Sequence, residues 1–450
     1  MKVLLLPAYY YPETAASSYL GDNIRDALCK ERIGIELYVP TPCRGITIEE
    51  RKKYKKLKYE SISDGYLNVH RFSMFAEGKN PILRALRYTL CWIKQFNRGL
   101  FAKNIDCIYL ASTPPIQGVL GGMLRKLKKV PFVYNLQDIF PDSLVGTGLA
   151  KKDGLLWKIG RRIENFTYRN ADKIIVISQD FKRNIMAKGV PEEKIEVIYN
   201  WVDQNAVVEV PREKNKLFDI YGLDRSKFYI TYNGNIGLTQ NMEMLAEVAH
   251  ELEASHPDIH FVLTGNGAYW DTLVAKLRGE KQEQRTQAPD GTEAITFGNI
   301  TLLPFQPYDD IAHVFSLGDA SLVISKPGVG ENSVPSKTWS IMSASRPVLA
   351  NFDENELKEI VNGEAALRPF DGPQGPQAQG PQTKKPCGIF TKAGDKAAFK
   401  QAILRLYGDR ELCKEMGRNG RQFVMDNLTR EVGTQKYVEV IKAVVNVNGR

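Results

Sequence analysis

Short apolar runs rich in β-branched residues alternate along this chain with longer segments of helical periodicity. The predicted strands of the first half are KVLLLP, IELYVP, DCIYLAS, PFVYN, KIIVIS and IEVIY. Those of the second half are KFYITYNG, IHFVLTG, ITLLPF, ASLVIS and RPVLA. Strands that alternate with helices are typical of a parallel sheet covered by helices. The pattern therefore predicts an α/β protein.

A polar segment, NWVDQNAVVEVPREKN, separates the two series of strands and is interrupted by Pro211. A chain of 450 residues is also too long for one core, since single cores stop growing at about 250 to 300 residues. We predict two doubly wound domains, residues 1–205 and 206–430. A helical stretch over 431–450 can pack on either domain.

Two polar segments of the second half are predicted as disordered loop insertions. Residues 278–296 have no apolar periodicity, and residues 372–386 repeat Gly-Pro-Gln.

Composition narrows the class of protein. No apolar run reaches the ~20 residues of a membrane-spanning helix, and the N-terminus reads as a strand rather than a signal peptide, so we expect a cytoplasmic protein. The six cysteines are scattered without a CxxC pair, and no Asp-x-Asp occurs. We therefore expect no bound metal.

The net charge of +9 is unevenly placed. Residues 1–200 hold 33 Lys and Arg against 20 Asp and Glu, whereas residues 201–450 hold 28 against 32. A basic half can face nucleic acid, anionic lipid or a polyphosphate substrate, and charge alone does not choose among them.

One predicted helix, residues 81–101, is strongly amphipathic. At ~100° per residue, one face carries Arg84, Arg87, Lys94 and Arg98, and the opposite face carries Ile82, Leu86, Leu90, Ile93 and Leu100. We expect the apolar face in the core and the basic face in water, with contact to a membrane surface as the alternative.

Ligands of open parallel sheets bind beyond the carboxyl ends of the strands, so the loops there hold the candidate site. In the second domain these loops contain two glycine-rich turns and the segment that follows the third strand, with the candidates Asn235, Gly237, Gly265, Gly267, Phe305 and Gln306. Glycine in such turns lets backbone N–H groups approach an anion.

The stretch ISKPGVGENSVPSK is the strongest candidate for an anion site. It places Lys326 and Gly330 after a strand, offers Ser333 and Ser336 as helix caps, and sets Lys337 in the first helical turn. A cation near the positive end of a helix is unfavourable unless an anion shares the position. A solvated surface lysine is the alternative.

In the first domain, Asp138 follows the strand PFVYN, where its carboxylate can orient or deprotonate a hydroxyl. The loop after the first strand carries Tyr10, Glu13, Thr14 and Ser17. These residues lie where a substrate would approach.

In their order, these motifs resemble the retaining glycosyltransferases of family 4. The resemblance rests on YYPETAASSYLGDNI, NADKIIVISQDFKRNI, YNGNIG, LTGNG, LPFQPYDDIAHVF, VPSKTWSIMSASRPVLA and MGRNGRQFV. It implies the GT-B fold of two facing Rossmann-like domains with a deep cleft, and a last helix that returns to the first domain. Members that transfer deoxy or N-acetylated amino sugars in surface polysaccharide assembly are the most similar in these motifs.

The resemblance implies a nucleotide-sugar donor, UDP-linked, in the second domain. Diphosphate contacts are implied near Gly237 and Lys337, with Lys326 as a further cation, and base contacts near Gly265 and Phe305–Pro307. Catalytic roles fall to Asp138 and Lys337, with no metal or other cofactor.

The implied acceptor is a lipid-diphosphate-linked glycan in the first domain, at Tyr10, Glu13, Thr14 and Ser17. Its lipid implies a peripheral enzyme at the anionic inner face of the cell membrane, without a nucleic-acid partner.

The sequence departs from the family pattern at several positions. Two glutamates eight residues apart are common in the family; the positions hold Asn332 and Ser340 here, and Glu331 is displaced by one. Ala15 and Ala16 replace a glycine pair, Gln137 replaces a histidine, and Gln240 stands where a basic residue is expected.

Two other functions stay open. A non-hydrolysing sugar-nucleotide epimerase has a similar architecture but needs several positioned carboxylates and histidines, of which this sequence has few candidates. A non-catalytic protein that binds a nucleotide sugar or nucleic acid would fit if the departures mean lost activity.

Overall fold

The computed structural model describes residues 1–13, 18–77, 80–146, 150–331, 334–364 and 385–448. The chain divides into two compact units. Unit 1 is Met1–Asn200 together with Gly433–Arg450, and unit 2 is Trp201–Val432. Each unit contains one eight-stranded sheet. Of the sequence candidates, Thr14, Ser17, Asn332 and Ser333 lie outside the described residues.

The sheet of unit 1 is parallel except at one edge. Its strands are β1 (Lys2–Leu5), β2 (Gly34–Pro40), β3 (Tyr59–Ile62), β4 (Leu67–Phe72), β5 (Cys107–Ala111), β6 (Phe132–Leu136), β7 (Lys173–Val176) and β8 (Ile195–Val197). Their order is β3-β4-β2-β1-β5-β6-β7-β8, and only β3 runs antiparallel to its neighbour. The six predicted strands are confirmed. The sequence patterns do not predict β3 or β4, since β3 is an edge strand without a buried side chain and β4 contains Asn68, His70 and Arg71 among its apolar residues.

Helices cover this sheet. They are α1 (Ser18–Lys30), α2 (Ile48–Lys56), α3 (Pro81–Phe101), α4 (Gln117–Lys128), α5 (Asp142–Gly146), α6 (Leu155–Asn170) and α7 (Gln179–Ala187). The core beneath them is made of the buried aliphatic and aromatic residues of β1, β5, β6 and β7 with Leu120 and Leu124 of α4.

The long helix α3 is turned the opposite way from the prediction. Arg87 is only 1% exposed, and its guanidinium donates to the Phe75 carbonyl at 3.1 Å and to Cys43 Sγ at 3.1 Å. Lys94 Nζ donates to the Ser73 carbonyl at 2.8 Å, and the Arg98 guanidinium lies 4.8 Å from the centre of the Phe72 ring.

The predicted apolar core face of α3 therefore faces solvent along much of its length. Ile82 is 77% exposed, and Leu86 and Ile93 are also exposed. The expectation of a buried apolar face and a solvated basic face is wrong for most of the helix. Arg84 is exposed, and Leu90 and Leu100 pack in part against buried clusters, but Arg87 is buried and Lys94 and Arg98 are half-buried. The physical reason is that carbonyl oxygens of the segment after β4 and a ring of β4 satisfy the cations, so the basic face can be buried.

The sheet of unit 2 is parallel at its centre and antiparallel at one edge. Its strands are β9 (Phe228–Asn233), β10 (Ile259–Thr264), β11 (Glu283–Gln287), β12 (Glu293–Phe297), β13 (Ile300–Leu303), β14 (Ala320–Ile324), β15 (Val348–Phe352) and β16 (Gly388–Lys392). Their order is β11-β12-β13-β10-β9-β14-β15-β16. The five predicted strands are confirmed.

One predicted loop insertion is instead a hairpin. Within residues 278–296, β11 and β12 pair antiparallel and extend the sheet edge. Arg285 reaches across the pair to Glu293 at 2.7 Å, and Ala294 is buried. The strands were not predicted because the segment is rich in polar residues, as an edge hairpin that buries few side chains can be. The other predicted insertion, 372–386, lies outside the described residues up to position 384.

The helices of unit 2 are α8 (Leu217–Ile220), α9 (Met242–Ser255), α10 (Trp270–Glu280), α11 (Ile311–Phe315), α12 (Lys337–Ser343), α13 (Glu356–Val361), α14 (Lys396–Gly408) and α15 (Arg410–Asn427). The last helix is α16 (Arg430–Asn448), whose residues from Gly433 onward belong to unit 1. There the buried Tyr437 hydroxyl donates to Asn135 Oδ1 at 3.2 Å, and its ring meets Tyr109 edge to face.

In the described ranges, no helix combines the length and apolar character that a membrane span requires. Within the same ranges, no three His, Cys, Asp or Glu side chains come together as a metal site would need.

Candidate active site

The candidate site of unit 2 lies at the carboxyl edge of its sheet. β9 is the first strand of the unit, and its neighbours are β10 on one side and β14 on the other. The chain therefore reverses its direction of winding at β9. Such a switch point leaves a crevice between the loops of adjacent strands, where ligands of open sheets bind.

The two glycine-rich turns after β9 and β10 touch backbone to backbone. Gly234 and Gly265 both have positive φ, 131° and 141°. A Cβ on Gly265 would lie 1.9 Å from the Gly234 carbonyl oxygen, and one on Gly267 would lie 2.4 Å from the Ile236 oxygen. The Gly234 N–H donates to the Thr264 carbonyl at 2.9 Å. Only glycine allows this packing, which forms the floor of the site.

Lys337 lies over this floor. Its Nζ is 3.7 Å from the centre of the Tyr232 ring and 3.3 Å from the position that a Cβ on Gly234 would take. Burial lowers the pKa of this ammonium group to about 7. Lys337 is half-buried with its charge against an aromatic face, which argues against the solvated-lysine alternative.

The residues around Lys337 differ in part from the predictions. Ser336 occupies the N-cap position of α12, but its side chain makes no capping hydrogen bond. The reason is its helical backbone, φ −58° and ψ −25°, since capping needs an extended residue. Ser340, three positions after Lys337, is half-buried.

Lys326 is held by its backbone, whose N–H donates to the Thr239 carbonyl at 2.8 Å. Its ammonium lies 5.7 Å from the centre of the Tyr269 ring. The cation thus projects from the loop after β14 toward the α10 region of unit 2.

Two predicted anion contacts are already occupied by side chains of the protein. The Gly237 N–H donates to Gln240 Oε1 at 3.0 Å. The Gly330 N–H donates to Asp353 Oδ2 at 2.7 Å. The two N–H groups therefore stabilise their own loops, since the Gln240 amide and the Asp353 carboxylate lie within hydrogen-bond distance of them. Asn235 and Glu331 remain exposed at the same loops.

The segment after β13 presents an exposed aromatic side chain. Phe305 is 79% exposed. Beside it, the Gln306 amide donates to the Tyr221 hydroxyl at 2.8 Å and to the Pro304 carbonyl at 2.9 Å. An anchored amide next to an exposed ring can read and stack on a planar group.

Four buried polar side chains near this edge are not among the candidates predicted from the sequence. Asn233 ends β9, Thr264 ends β10 opposite it, Ser325 follows β14, and Thr338 is the second residue of α12. Each is buried and carries side-chain polar atoms without a hydrogen-bond partner among the described residues. Buried polar atoms seldom stay unpaired, so water or a ligand is expected to serve them. For Asn233 and Thr264, the sequence signal of a site is a polar residue at the end of an apolar strand.

In unit 1, polar residues form a network at the carboxyl ends of β5 and β6. The Gln137 amide donates to Asn135 Oδ1 at 2.8 Å and accepts from Asn200 at 2.9 Å. Asn135 in turn donates to the Tyr109 hydroxyl at 2.8 Å. Asp138 is exposed beside this network and accepts a hydrogen bond from Ser143 Oγ at 3.0 Å.

A cavity of about 160 Å³ adjoins the network. Its polar lining includes Arg25, Gln117, Asn135 and Gln137. A cavity with these donors and acceptors can hold hydroxyl groups of a ligand.

The loop after β1 carries the remaining predictions. Glu13 is buried, and its carboxylate accepts the N–H groups of Cys43 at 2.8 Å and Arg44 at 3.0 Å. Its described contacts are thus with the protein's own backbone. Tyr10 is half-buried, with the Arg25 guanidinium 4.9 Å from the centre of its ring.

Two family models match consecutive parts of the chain. Glycosyltransferase Family 4 matches residues 31–206, and Glycosyl transferases group 1 matches residues 213–423. The two matches meet close to the boundary between unit 1 and unit 2.

Two curated relatives match part of the chain. Probable glycosyltransferase WbjE of Pseudomonas aeruginosa is 25% identical over 290 residues, 64% of this chain and 66% of the relative. Putative colanic acid biosynthesis glycosyl transferase WcaI of Escherichia coli is 29% identical over 228 residues, 49% of this chain and 51% of the relative. The chain thus spans between half and two thirds of these relatives' lengths.

A solved structure extends the likeness to the whole chain. The crystal structure of Anabaena HepE in complex with UDP and glucose superposes with a TM-score of 0.64 at 17% identity, over 98% of this chain and 100% of that one. At this identity the likeness shows a shared fold.

Proposed function

We propose that this chain, which belongs to glycosyltransferase family 4 and has the GT-B fold, transfers a sugar from a UDP-sugar to a lipid-diphosphate-linked glycan. The family and the fold implied by the sequence motifs are confirmed. The observation that carries the proposal is the Lys337 ammonium group, held against Gly234 at the switch point of the unit 2 sheet.

The proposed role of Lys337 follows from where charge develops. The bond between the anomeric carbon and the diphosphate oxygen breaks, and the electron pair stays on the diphosphate. A buried ammonium group beside that oxygen stabilises the charge more than one in water, because the local dielectric is low. Lys326 adds a second cation, so the proposed reaction uses no metal.

The proposed acceptor reaction proceeds with retention. The acceptor hydroxyl forms its new bond to the anomeric carbon on the face that the diphosphate leaves, and its proton passes to a phosphate oxygen of the leaving group. Asp138, exposed and next in sequence to Gln137 of the cavity lining, is proposed to orient the acceptor hydroxyl. Tyr10 is proposed to contact the acceptor glycan.

The base and the sugar are proposed from separate observations. Phe305 offers its exposed ring to stack on a uracil, and HepE, which has the same fold, is described in complex with UDP. Ser340 can donate or accept one hydrogen bond where a glutamate could accept two strong ones. This weaker site suits a deoxy or N-acetylated amino sugar, and the name of WcaI, which includes colanic acid biosynthesis, supports a role in polysaccharide assembly.

Calorimetric titration with nucleotide sugars tests the donor site. We expect UDP-N-acetylglucosamine to bind and GDP-mannose to bind at least about tenfold more weakly, since the base contacts select uracil. Absence of binding by every UDP-sugar would refute the donor assignment.

The same titration has a predicted pH dependence. Lys337 has a lowered pKa of about 7, and a neighbouring diphosphate raises it because the charged form gains a partner. Binding at pH 7 should therefore take up about half a proton, and affinity should fall as pH rises from 7 to 9. Lys337→Arg stays charged and should lose this dependence; an unchanged pH profile in Lys337→Arg would assign the proton elsewhere.

A further inference from the structure

The exposed face of α3 is an apolar stripe. Along its 21 residues, or ~30 Å, the outward side chains are mostly hydrophobic. The stripe comprises the exposed Ile82, Leu83, Leu86, Ile93 and Phe101; beside them, the half-buried Leu90, Phe96 and Leu100 pack in part against the buried clusters of unit 1. Its polar members are Thr89 and Asn97.

The stripe is not a by-product of loose packing, because α3 is anchored through its opposite face. Arg87, Lys94 and Arg98 bind carbonyl oxygens, a sulfur and an aromatic ring of unit 1, as described above. A helix that turns most of its cations toward the protein and exposes apolar side chains such as Ile82 and Leu86 has the reverse pattern of a helix that faces water. Contiguous exposed apolar surface of this kind marks an interaction site.

Cations flank the stripe at its two ends. Exposed Lys103 follows its C-terminal end, and exposed Lys126 and Lys129 lie at the end of α4, which packs against α3. Between them Leu127 is 57% exposed. Near the N-terminal end of the stripe, Arg84 is exposed although it pairs with Glu77.

A second patch of the same character lies on α6, which also packs against α4. Leu155, Leu156 and Ile159 are exposed there. Lys151, Lys152 and Lys158 are exposed beside them. Exposed apolar side chains with lysines nearby, on two helices that both pack against α4, fit a surface that is apolar inside and anionic at its rim.

We infer that the apolar stripe of α3 inserts into the headgroup region of an anionic bilayer, with the flanking lysines at the phosphates. The inference rests on the proposed function in one respect, since a lipid-linked acceptor lies at such a surface. A second copy of this chain is a less suitable occupant, because residues 1–200 carry 13 more basic than acidic side chains and would repel their equivalent.

Vesicle co-sedimentation of the full chain tests the inference. We expect binding to vesicles of phosphatidylcholine mixed with phosphatidylglycerol, and weaker binding to phosphatidylcholine alone. The double variant Ile82→Ser/Leu86→Ser should reduce the bound fraction by about tenfold or more, because two side chains lose their apolar transfer. High salt should weaken wild-type binding without abolishing it, since the apolar term is not screened.

Ile48→Ser is the matched control. Ile48 is 75% exposed on α2, outside the stripe, and its loss should leave vesicle binding unchanged. Wild-type protein that stays in the supernatant, or a stripe variant that binds like wild type, would overturn the inference. So would a concentration-dependent dimer that the stripe variant abolishes, because it assigns the stripe to a second copy.

Binding of UDP-N-acetylglucosamine by the stripe variant separates this inference from the proposed function. The variant should keep wild-type donor affinity, since the donor candidates lie in unit 2. Loss of vesicle binding by the stripe variant, with donor binding intact, therefore supports the membrane surface. Failure of the wild-type protein to bind a UDP-sugar refutes only the transferase proposal.

Discussion

Replacing Lys337 with alanine should lower kcat/KM for sugar transfer by about 100- to 1000-fold. The estimate is the effect of removing one preorganised charge-stabilising group from a reaction site. Lys337 Nζ lies 3.7 Å from the centre of the Tyr232 ring, and its removal breaks no ion pair of the described residues. Steady-state kinetics with a UDP-sugar measures the loss.

The melting temperature shows whether the Lys337→Ala protein is folded. Lys337 has a pKa of about 7 in the folded chain against 10.5 ordinarily, so the unfolded state holds more protons between these pH values. Wild-type stability should therefore rise with pH across that window, and the alanine variant should lack this rise. At pH 7 the variant should melt at the wild-type temperature or above. A wild-type rate in the variant would remove Lys337 from the catalytic machinery.

Replacing Gly265 with alanine should destabilise unit 2 by about 3 to 5 kcal/mol and abolish donor binding. The backbone has φ 141°, and the new Cβ would lie 1.9 Å from the Gly234 carbonyl oxygen. Backbone atoms cannot give way as a flexible side chain can, so strain and overpacking add. Urea unfolding followed by calorimetric titration measures both effects.

Gly279→Ala is the control for a glycine without these constraints. Gly279 lies in α10, and a Cβ there would have no neighbour within 4 Å. Alanine should stabilise the helix by up to about 1 kcal/mol and leave donor binding unchanged. Equal effects of the two substitutions would contradict the role given to the contact between the two turns.

The strands of both sheet centres could be predicted from sequence because a strand buried on both faces is a continuous apolar run. The edges could not. β3 and β11 have no buried side chain, and their pairing depends on partner strands rather than on their own composition. Residue patterns within one segment do not report such pairing.

The two faces of α3 were predicted correctly as sets, but their orientation was not. Periodicity states which residues share a face and not which face meets the core. The orientation depends on the Phe75 and Ser73 carbonyls and on the Phe72 ring, which belong to β4 and the segment that follows it. Because cationic side chains are seldom buried, the sequence predicts that the basic face of α3 meets solvent.

Part of the donor site could be predicted from the sequence. A lysine at the start of a helix is unfavourable beside the positive end of the helix dipole, and this conflict indicated a site. In the structure the lysine lies over the glycine turns. Two hydrogen bonds could not be predicted from the sequence because they depend on loop geometry. The Gly237 N–H donates to the Gln240 side chain, and the Gly330 N–H donates to the Asp353 carboxylate. The unpaired Asn233 and Thr264 emerge only once β9 and β10 are in register.

Transfer of labelled sugar to lipid is the measurement that tests the central claim most directly. The chain is incubated with UDP-sugars labelled in the sugar and with a bacterial membrane lipid extract. We predict label in the chloroform-soluble fraction with at least one UDP-sugar, lost on omission of the lipid and in Lys337→Ala. Conversion of a UDP-sugar to an isomer without lipid, or no lipid-bound label with any bound donor, would contradict the account.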